Sequence, residues 1–311
     1  MDLSIVVPVY NEEGSLKELH KRLVPVLSKL SITYEIVFVD DGSSDRSYKI
    51  LKGIEIKDKN VKVIGFVRNF GQTTAIAAGV EFSSGKILLT MEADLQNDPR
   101  DIPKLINQIN NGYDVVSGWR KNRHSENFFT KRVPSIAANI LISKIVGLNI
   151  HDFGCTFKAY KSTIVKPLRL YGEMHRLILA YAYRRGAKIT EVPISYQTRK
   201  FGKSKYNLSR TYKVIFDLIT LMFIENFATK PMYVFGTFGF FCFGGGIVSG
   251  SLMIFNKFNN GTSIISSPFL LFTFLFMIFG TMFIVLGLLA EIIVRTYYES
   301  QGKKTYIVRE K

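Results

Sequence analysis

Two stretches without a single charged side chain, 231–256 and 258–290, constrain this chain more than any other feature. A helix rises about 1.5 Å per residue and bilayer hydrocarbon is about 30 Å thick, so roughly 20 apolar residues cross it. Both stretches exceed that length, the second through its mostly apolar part, 268–290, and they read as two transmembrane helices. Gly236, Gly239, Gly244, Gly245, Gly246 and Gly250 would weaken a helix in water but permit close helix contact in lipid. A buried hairpin of a water-soluble domain is the alternative, and runs of this length disfavour it. Arg199, Lys200, Lys203, Lys205, Arg210, Lys213 and Lys230 precede the first span, Arg295, Lys303, Lys304, Arg309 and Lys311 follow the second, and only Lys257 lies between. The positive-inside rule then puts both ends in the cytoplasm and the 257–267 connection outside, in an inner-membrane protein with two spans.

Upstream of the spans, Leu208, Tyr212, Ile215, Ile219 and Met222 recur at helical spacing, with Arg210, Lys213 and Asp217 off that stripe. Such a helix lies at the membrane interface or packs as an ordinary amphipathic helix on the domain before it. The organisation expected is a cytosolic domain over 1–205, a juxtamembrane amphipathic segment over 206–230, a transmembrane hairpin over 231–294 and a basic tail over 295–311. Lys plus Arg number 41 against 25 Asp plus Glu, a net charge of +16, which suits phosphates, nucleic acid or an anionic membrane surface. With 47% hydrophobic residues, the chain is too apolar for a disordered basic segment. Cys155 and Cys242 form no Cys-x-x-Cys pair, so neither a disulfide framework nor a zinc site is indicated and a reducing setting is expected. The amino terminus opens directly on Leu3, Ile5, Val6 and Val7, without the basic and apolar regions of a signal peptide, which leaves membrane attachment to the later segments.

Residues 1–205 alternate short β-branched runs with helical patterns: 3–9 then 16–30; 34–39; 61–67 then 73–82; 87–91 then 102–109; and 115–117. This is the signature of an α/β fold with a mostly parallel, Rossmann-like sheet and flanking helices. Ligands in such folds bind beyond the carboxyl ends of the strands, so the polar residues after each run are the ones that matter. The first run ends in Pro8-Val9-Tyr10-Asn11-Glu12 and the second in Asp40-Asp41-Gly42-Ser43-Ser44-Asp45. Adjacent carboxylates accept hydrogen bonds from a base imide and a ribose, and Gly42 permits close approach, although Asp-Asp-Gly-Ser alone is also a common turn with a helix cap. Neither a Gly-x-Gly-x-x-Gly fingerprint nor a phosphate loop opens the first helix, which disfavours a dinucleotide dehydrogenase or an ordinary ATPase. The fourth run ends in Glu92-Ala93-Asp94-Leu95-Gln96-Asn97-Asp98-Pro99. On an extended backbone Glu92 and Asp94 share a side and, with the Gln96 oxygen, suit Mg²⁺ or Mn²⁺ bridging to a substrate phosphate; an acidic turn capping the next helix is the plainer alternative. Arg120, in Gly118-Trp119-Arg120, and Arg123, Lys131 and Arg132 just beyond it supply forked donors for a phosphate, or a basic loop attracted to anionic lipid. Lys203, Ser204 and Lys205 serve the same phosphate or the membrane surface.

The set Val-Pro-Val-Tyr-Asn-Glu, Val-Asp-Asp-Gly-Ser-Ser-Asp, Arg68-Asn69-Phe70-Gly71-Gln72 and Ala-Asp-Leu-Gln resembles family 2 glycosyltransferases of the GT-A fold. Asp152-Phe153-Gly154-Cys155, then Phe201-Gly202-Lys203-Ser204-Lys205-Tyr206 and two spans, resemble more narrowly the polyprenyl-phosphate glycosyltransferases, including bactoprenol glucosyltransferases and dolichol-phosphate mannosyltransferases. The resemblance implies that Pro8, Tyr10, Glu12 and Asp41 hold the nucleotide, with Asp40, Gly71 and Gln72 close by, and that Asp94 and Gln96 position the metal with the donor diphosphate. Glu92 stands where the family's Asp-x-Asp element has its first acid, which makes its ligation less direct than that of Asp94. Asp152 falls near the transferred sugar, where it orients sugar or acceptor, acts as a base, or merely caps a loop. Glu173 and His175 are weaker candidates.

The expected activity is inverting transfer of a hexose, with UDP-glucose the preferred donor by resemblance, to polyprenyl (undecaprenyl) phosphate at the cytoplasmic face, releasing UDP. Mannose, GlcNAc or an amino sugar remain open as donors. The partners are then the nucleotide sugar, the lipid phosphate, the bilayer and further copies in a homo-oligomer such as a tetramer, with no nucleic acid. Two rivals stand beside this reading. A processive polysaccharide synthase is disfavoured by the small number of spans and by the lack of a Gln-x-x-Arg-Trp element, Trp119 being the only tryptophan. A nonenzymatic lipid-binding or flippase-associated scaffold draws its best argument from Glu92.

Overall fold

The computed structural model describes residues 1–121, 139, 140, 142–144, 146–168, 174–197, 231–261 and 263–300. The chain divides into two compact units, Met1–Asp217 and Leu218–Lys311. The first is built on β1 (Leu3–Val9), α1 (Leu16–Ser28), β2 (Tyr34–Asp40), α2 (Ser47–Lys57), β3 (Val61–Gly65), α3 (Gln72–Glu81), β4 (Ile87–Thr90), α4 (Ile102–Asn110), β5 (Val115–Trp119), β6 (Lys158–Lys161), the one-turn α5 (Ser162–Val165), α6 (Ile178–Arg184) and β7 (Ile189–Pro193). Among the described residues these strands form one seven-stranded sheet in the order β3-β2-β1-β4-β6-β5-β7. The pairs β1–β2, β1–β4, β2–β3 and β5–β7 are parallel, while β6 runs antiparallel to both β4 and β5.

Register explains why the strand ends gather. Val9 lies opposite Asp40, and Asp40 opposite Gly65, so β1, β2 and β3 finish together. Because β6 is reversed, its first residue, Lys158, lies opposite both Thr90 of β4 and Ser117 of β5. The segment entering β6 therefore arrives at the edge that the parallel strands leave. Burial follows from composition: β1 and β2 are apolar along nearly their whole length, as strands covered on both faces must be. Leu16, Leu19, Leu23 and Leu27 recur at helical spacing on α1 and are fully buried in the main core.

Several boundaries differ from the sequence expectation for local reasons. Strand β3 stops at Gly65 rather than at 67, and the amide of Phe66 donates to the Asp40 carbonyl at 2.8 Å as the chain turns out of the sheet. The first helix stops at Ser28 rather than at residue 30, and α3 starts at Gln72, one residue early. Helix α2, absent from the expected elements, carries Gly53 and an Ile56 that is 85% exposed, which blur its apolar stripe. Strands β6 and β7 and helix α6 are likewise additions.

The second unit contains two long helices, α7 (Pro231–Asn260) and α8 (Pro268–Ser300). The segments Pro231–Asn260 and Pro268–Val294 are long and apolar enough to cross a membrane. Phe240, Phe241 and Ile247 are 73%, 75% and 67% exposed, an outward apolar surface suited to lipid rather than water. Small residues let the helices approach: a Cβ on Gly239 would lie 3.0 Å from Ile284 and 3.1 Å from the Gly280 carbonyl, and Ser249 Oγ donates to the Phe269 carbonyl at 2.9 Å. Helix α8 runs past the expected end of the span at 294 to Ser300. The expected interfacial helix over 206–230 and the tail beyond residue 300 lie outside the described residues.

Gly42 has φ +65°, and a Cβ there would sit 2.3 Å from the Arg68 carbonyl carbon, whereas Gly71 has φ +97° with open space around it. Gly71→Ala carries only the cost of a left-handed backbone, about 1–3 kcal/mol, and Gly42→Ala adds a backbone clash. Thermal unfolding of the purified full-length protein should show Gly42→Ala with the larger loss; equal losses would contradict the close approach.

Candidate active site

Three loops are stitched together where β1, β2 and β3 end. The amide of Asn11 donates to Ser43 Oγ at 2.9 Å, that of Ser44 to Asn11 Oδ1 at 2.8 Å, and that of Glu12 to Ser47 Oγ at 2.9 Å. Asn11 holds a left-handed φ of +55°, a conformation that asparagine tolerates better than most residues. Pro8, Tyr10 and Glu12 are half-buried at this junction. Asp41, 3% exposed, binds the third loop: its Oδ1 accepts from the Phe70 amide at 2.7 Å, and its Oδ2 from the Gly71 amide and Asn69 Nδ2, both at 2.9 Å. Asp40 accepts from the Ser43 amide through Oδ2 at 3.2 Å, while its buried Oδ1 has no hydrogen-bond partner among the described residues. Both aspartates of the pair are thus present at the edge, with Asp41 engaged in fixing the 69–71 strap and Asp40 keeping acceptor capacity.

The acidic turn after β4 is not extended, as the sequence expectation had it. The backbone bends from Ala93, and Leu95 takes a left-handed φ of +63°. Glu92 Oε1 accepts from Gln72 Nε2 at 3.1 Å, which ties the turn to the start of α3. Asp94, 7% exposed, accepts from the Gln96 amide through Oδ1 at 3.1 Å. The segment after β7 braces the other side: Gln96 Nε2 donates to the Gln197 carbonyl at 3.3 Å, the Gln197 amide to the Gln96 carbonyl at 2.9 Å, and the Ser195 amide to Asp101 Oδ2 at 2.6 Å. Asp98 caps the short helix that follows, accepting from the Arg100 amide at 3.0 Å, and its hydrogen bonds with Arg100 hold it below the usual carboxylate range. Among the described residues no group of three or more His, Cys, Asp or Glu could by itself hold a metal. The oxygens of Glu92, Asp94 and Gln96 are of the hard type that Mg²⁺ or Mn²⁺ prefers.

Arg120 follows β5, and the structure brings it onto Asp152, 32 residues away in sequence. Arg120 Nε donates to Asp152 Oδ2 at 2.7 Å and Nη2 to Oδ1 at 2.9 Å, with side chains only 8% and 7% exposed. Two donors that the sequence reading reserves for a phosphate are therefore turned onto a carboxylate. Burial acts to lower the guanidinium's proton affinity, but the charge and hydrogen bonds of Asp152 outweigh it and hold Arg120 well above its ordinary value. The Tyr196 ring lies 5.3 Å from the guanidinium. Lys158, fully buried, donates through Nζ to the carbonyls of Phe153, at 3.1 Å, and Cys155. Burial pushes the Lys158 ammonium down to about 8 and the Cys155 thiol up to about 11. Next to Asp152, His151 pairs with Glu191 and stacks on Trp119 with ring centroids 4.3 Å apart.

Sequence reasoning missed Lys158, Glu191, Tyr196 and Gln197, since charged residues inside short strands and polar residues after β7 carry no local motif. His175 accompanies Thr73 in a buried hydrogen bond of 2.6 Å. Arg123, Arg132, Lys203, Ser204, Lys205 and Glu173 lie outside the described residues.

Comparison with known proteins matches residues 4–169 to the family model described as Glycosyl transferase family 2. The dodecaprenyl-phosphate galacturonate synthase of Rhizobium johnstonii is 36% identical over 100% of this chain and 93% of its own length. The undecaprenyl-phosphate 4-deoxy-4-formamido-L-arabinose transferase of Edwardsiella ictaluri is 34% identical over 99% of this chain and 93% of its own. Among solved structures, the glucosyl-3-phosphoglycerate synthase of Mycobacterium tuberculosis, in complex with Mn²⁺, UDP and phosphoglyceric acid, superposes with a TM-score of 0.56. It shares 17% identity, over 71% of this chain and 78% of that one, and shows a common fold.

Cutting one member of a buried pair leaves the other charge uncompensated, at about 3–5 kcal/mol. Arg120→Met and Asp152→Leu should each lower the thermal midpoint, and the double variant should recover most of the loss. Purely additive losses would show that the pair contributes no coupling.

Proposed function

This chain belongs to glycosyl transferase family 2 and is a glycosyltransferase, and we propose that it transfers a sugar from a nucleotide donor to polyprenyl phosphate at the cytoplasmic membrane face. The observation that carries the proposal is the gathering of three acidic clusters and a buried guanidinium at one sheet edge, in a chain that also holds two apolar helices of membrane length. The two relatives, alike over essentially the whole chain, are named for sugar transfer to prenyl phosphates, which supports the acceptor.

In this reading Pro8, Tyr10, Glu12, Asp40 and Asp41 hold the nucleoside, with Gly71 and Gln72 at its diphosphate. Asp94 and Gln96, with Glu92 held by Gln72, bind the divalent ion. When bound, that ion offsets the negative charge that develops on the departing nucleoside diphosphate. Arg120, aligned by Asp152, meets the acceptor phosphate together with Arg123, Arg132, Lys203, Ser204 and Lys205. A phosphate monoester is already largely ionised near neutral pH, so the site needs alignment more than a strong base. An acceptor oxygen attacks the anomeric carbon opposite the leaving group, which converts an α-linked donor into a β-linked lipid product. The excess of basic residues on both flanks of the apolar helices supports placing this domain and both termini in the cytoplasm.

For the donor we propose UDP-glucose, supported by the motif set alone; the relatives' names add galacturonate and 4-deoxy-4-formamido-L-arabinose to the sugars worth trying. Purified full-length protein should move label from one member of a donor panel onto short-chain polyprenyl phosphate in the presence of Mg²⁺ or Mn²⁺. Chelation, or Asp94→Ala, should reduce the rate by at least about 100-fold, the scale of losing a group that stabilises developing charge. Absence of lipid-linked sugar with every donor would defeat the proposal, and transfer undiminished in Asp94→Ala would remove the metal from it.

A further inference from the structure

Lys158 is the one fully buried ammonium among the described residues, and the roles assigned above leave it unused. It opens the reversed strand β6, opposite Thr90 and Ser117, at the edge where the acidic turn and Arg120 leave their own strands. No carboxylate lies within ion-pair distance of its Nζ among the described residues; its partners are the main-chain carbonyls of Phe153 and Cys155, one on each side of Gly154. That tripeptide follows Asp152 directly. A Cβ added at Gly154 would stand 3.6 Å from Arg120 Nη2 and 3.7 Å from Asp152 Oδ1, so the loop passes beside the ion pair, with room for no more than one carbon between them. Thr90 Oγ1 adds a further tie, donating to the Thr156 carbonyl at 2.5 Å.

Burying an ammonium whose only hydrogen-bond partners are carbonyls is costly, and an apolar side chain of similar length would fill the same space without that cost. What the ammonium does that a methionine cannot is pull two carbonyls toward one point, which sets the course of the loop. We infer that Lys158 is a positioning residue for sugar transfer: its ammonium clamps the 153–155 loop, and through that loop it fixes Asp152 and the orientation in which Arg120 is presented to the acceptor. The inference rests on the reading of this edge as a transferase site. It assigns Lys158 no contact with substrate.

The test uses full-length protein carrying Lys158→Met, which keeps length and volume but removes the donor, and Lys158→Gln, which keeps an N–H donor at shorter reach. Two readouts are taken: hydrogen exchange of peptides covering residues 152–157, and steady-state transfer of labelled sugar from the donor panel to polyprenyl phosphate. The expected result is exchange at 152–157 at least about tenfold faster, with the β1 and β2 peptides unchanged, and kcat lowered at least about tenfold while the donor KM stays within threefold. Lys158→Gln should fall between Lys158→Met and wild type in both, and it decides the matter alone if Lys158→Met does not fold. Unchanged exchange over 152–157 in a folded variant, or kcat within twofold of wild type, would overturn the inference. If the wild type transfers no sugar from any donor, the proposed function fails, and the exchange readout still decides whether the clamp exists.

Discussion

The reversal of a single strand in the middle of the sheet is the constraint on which the site depends. Parallel strands deliver the Asp40–Asp41 pair and the acidic turn to one edge, because each of them ends there. They cannot by themselves bring in a loop that precedes a strand. Strand β6, antiparallel to both neighbours, does so: it starts where β4 and β5 finish, and the residues before it, 152–157, must enter at the same edge. Asp152 reaches Arg120 for that reason.

The electrostatics of the edge differ from those of the chain as a whole. The sequence carries a net charge of +16, yet the groups that converge at the strand ends are mainly carboxylates. Two cations among the described residues there, Arg120 and Lys158, are buried rather than solvated, whereas Arg68 and Lys121 are exposed. In a low-dielectric setting each charge acts on its neighbours far more strongly than on the surface. Burial and close hydrogen bonds therefore decide how this edge is charged.

Legibility in the sequence followed the range of the interaction. Strand β1 and the apolar stripe of α1 were readable because burial writes itself into neighbouring residues. The two long helices were readable because an uncharged run of that length rarely fits inside a water-soluble core. The acidic strand ends were readable as motifs. Strand β6 was not: Lys-Ala-Tyr-Lys has little β signature, and a lysine at its first position suggests exposure, whereas Lys158 is 1% exposed. The bend after Met91 also escaped, since a left-handed Leu95 has no compositional warning. Pairings such as Gln72 with Glu92, 20 residues apart, and Arg120 with Asp152 depend on topology, which no local pattern encodes.

The strap from Asn69 to Gln72 joins regions that would otherwise be independent. One end is pinned by the Asp41 carboxylate and the other holds the Glu92 carboxylate through the Gln72 amide. A force that moves Asp41 is thereby conveyed to Glu92 within four residues of backbone. The loop after β2 and the acidic turn after β4 thus share one mechanical linkage, so a displacement of either is passed on to the other.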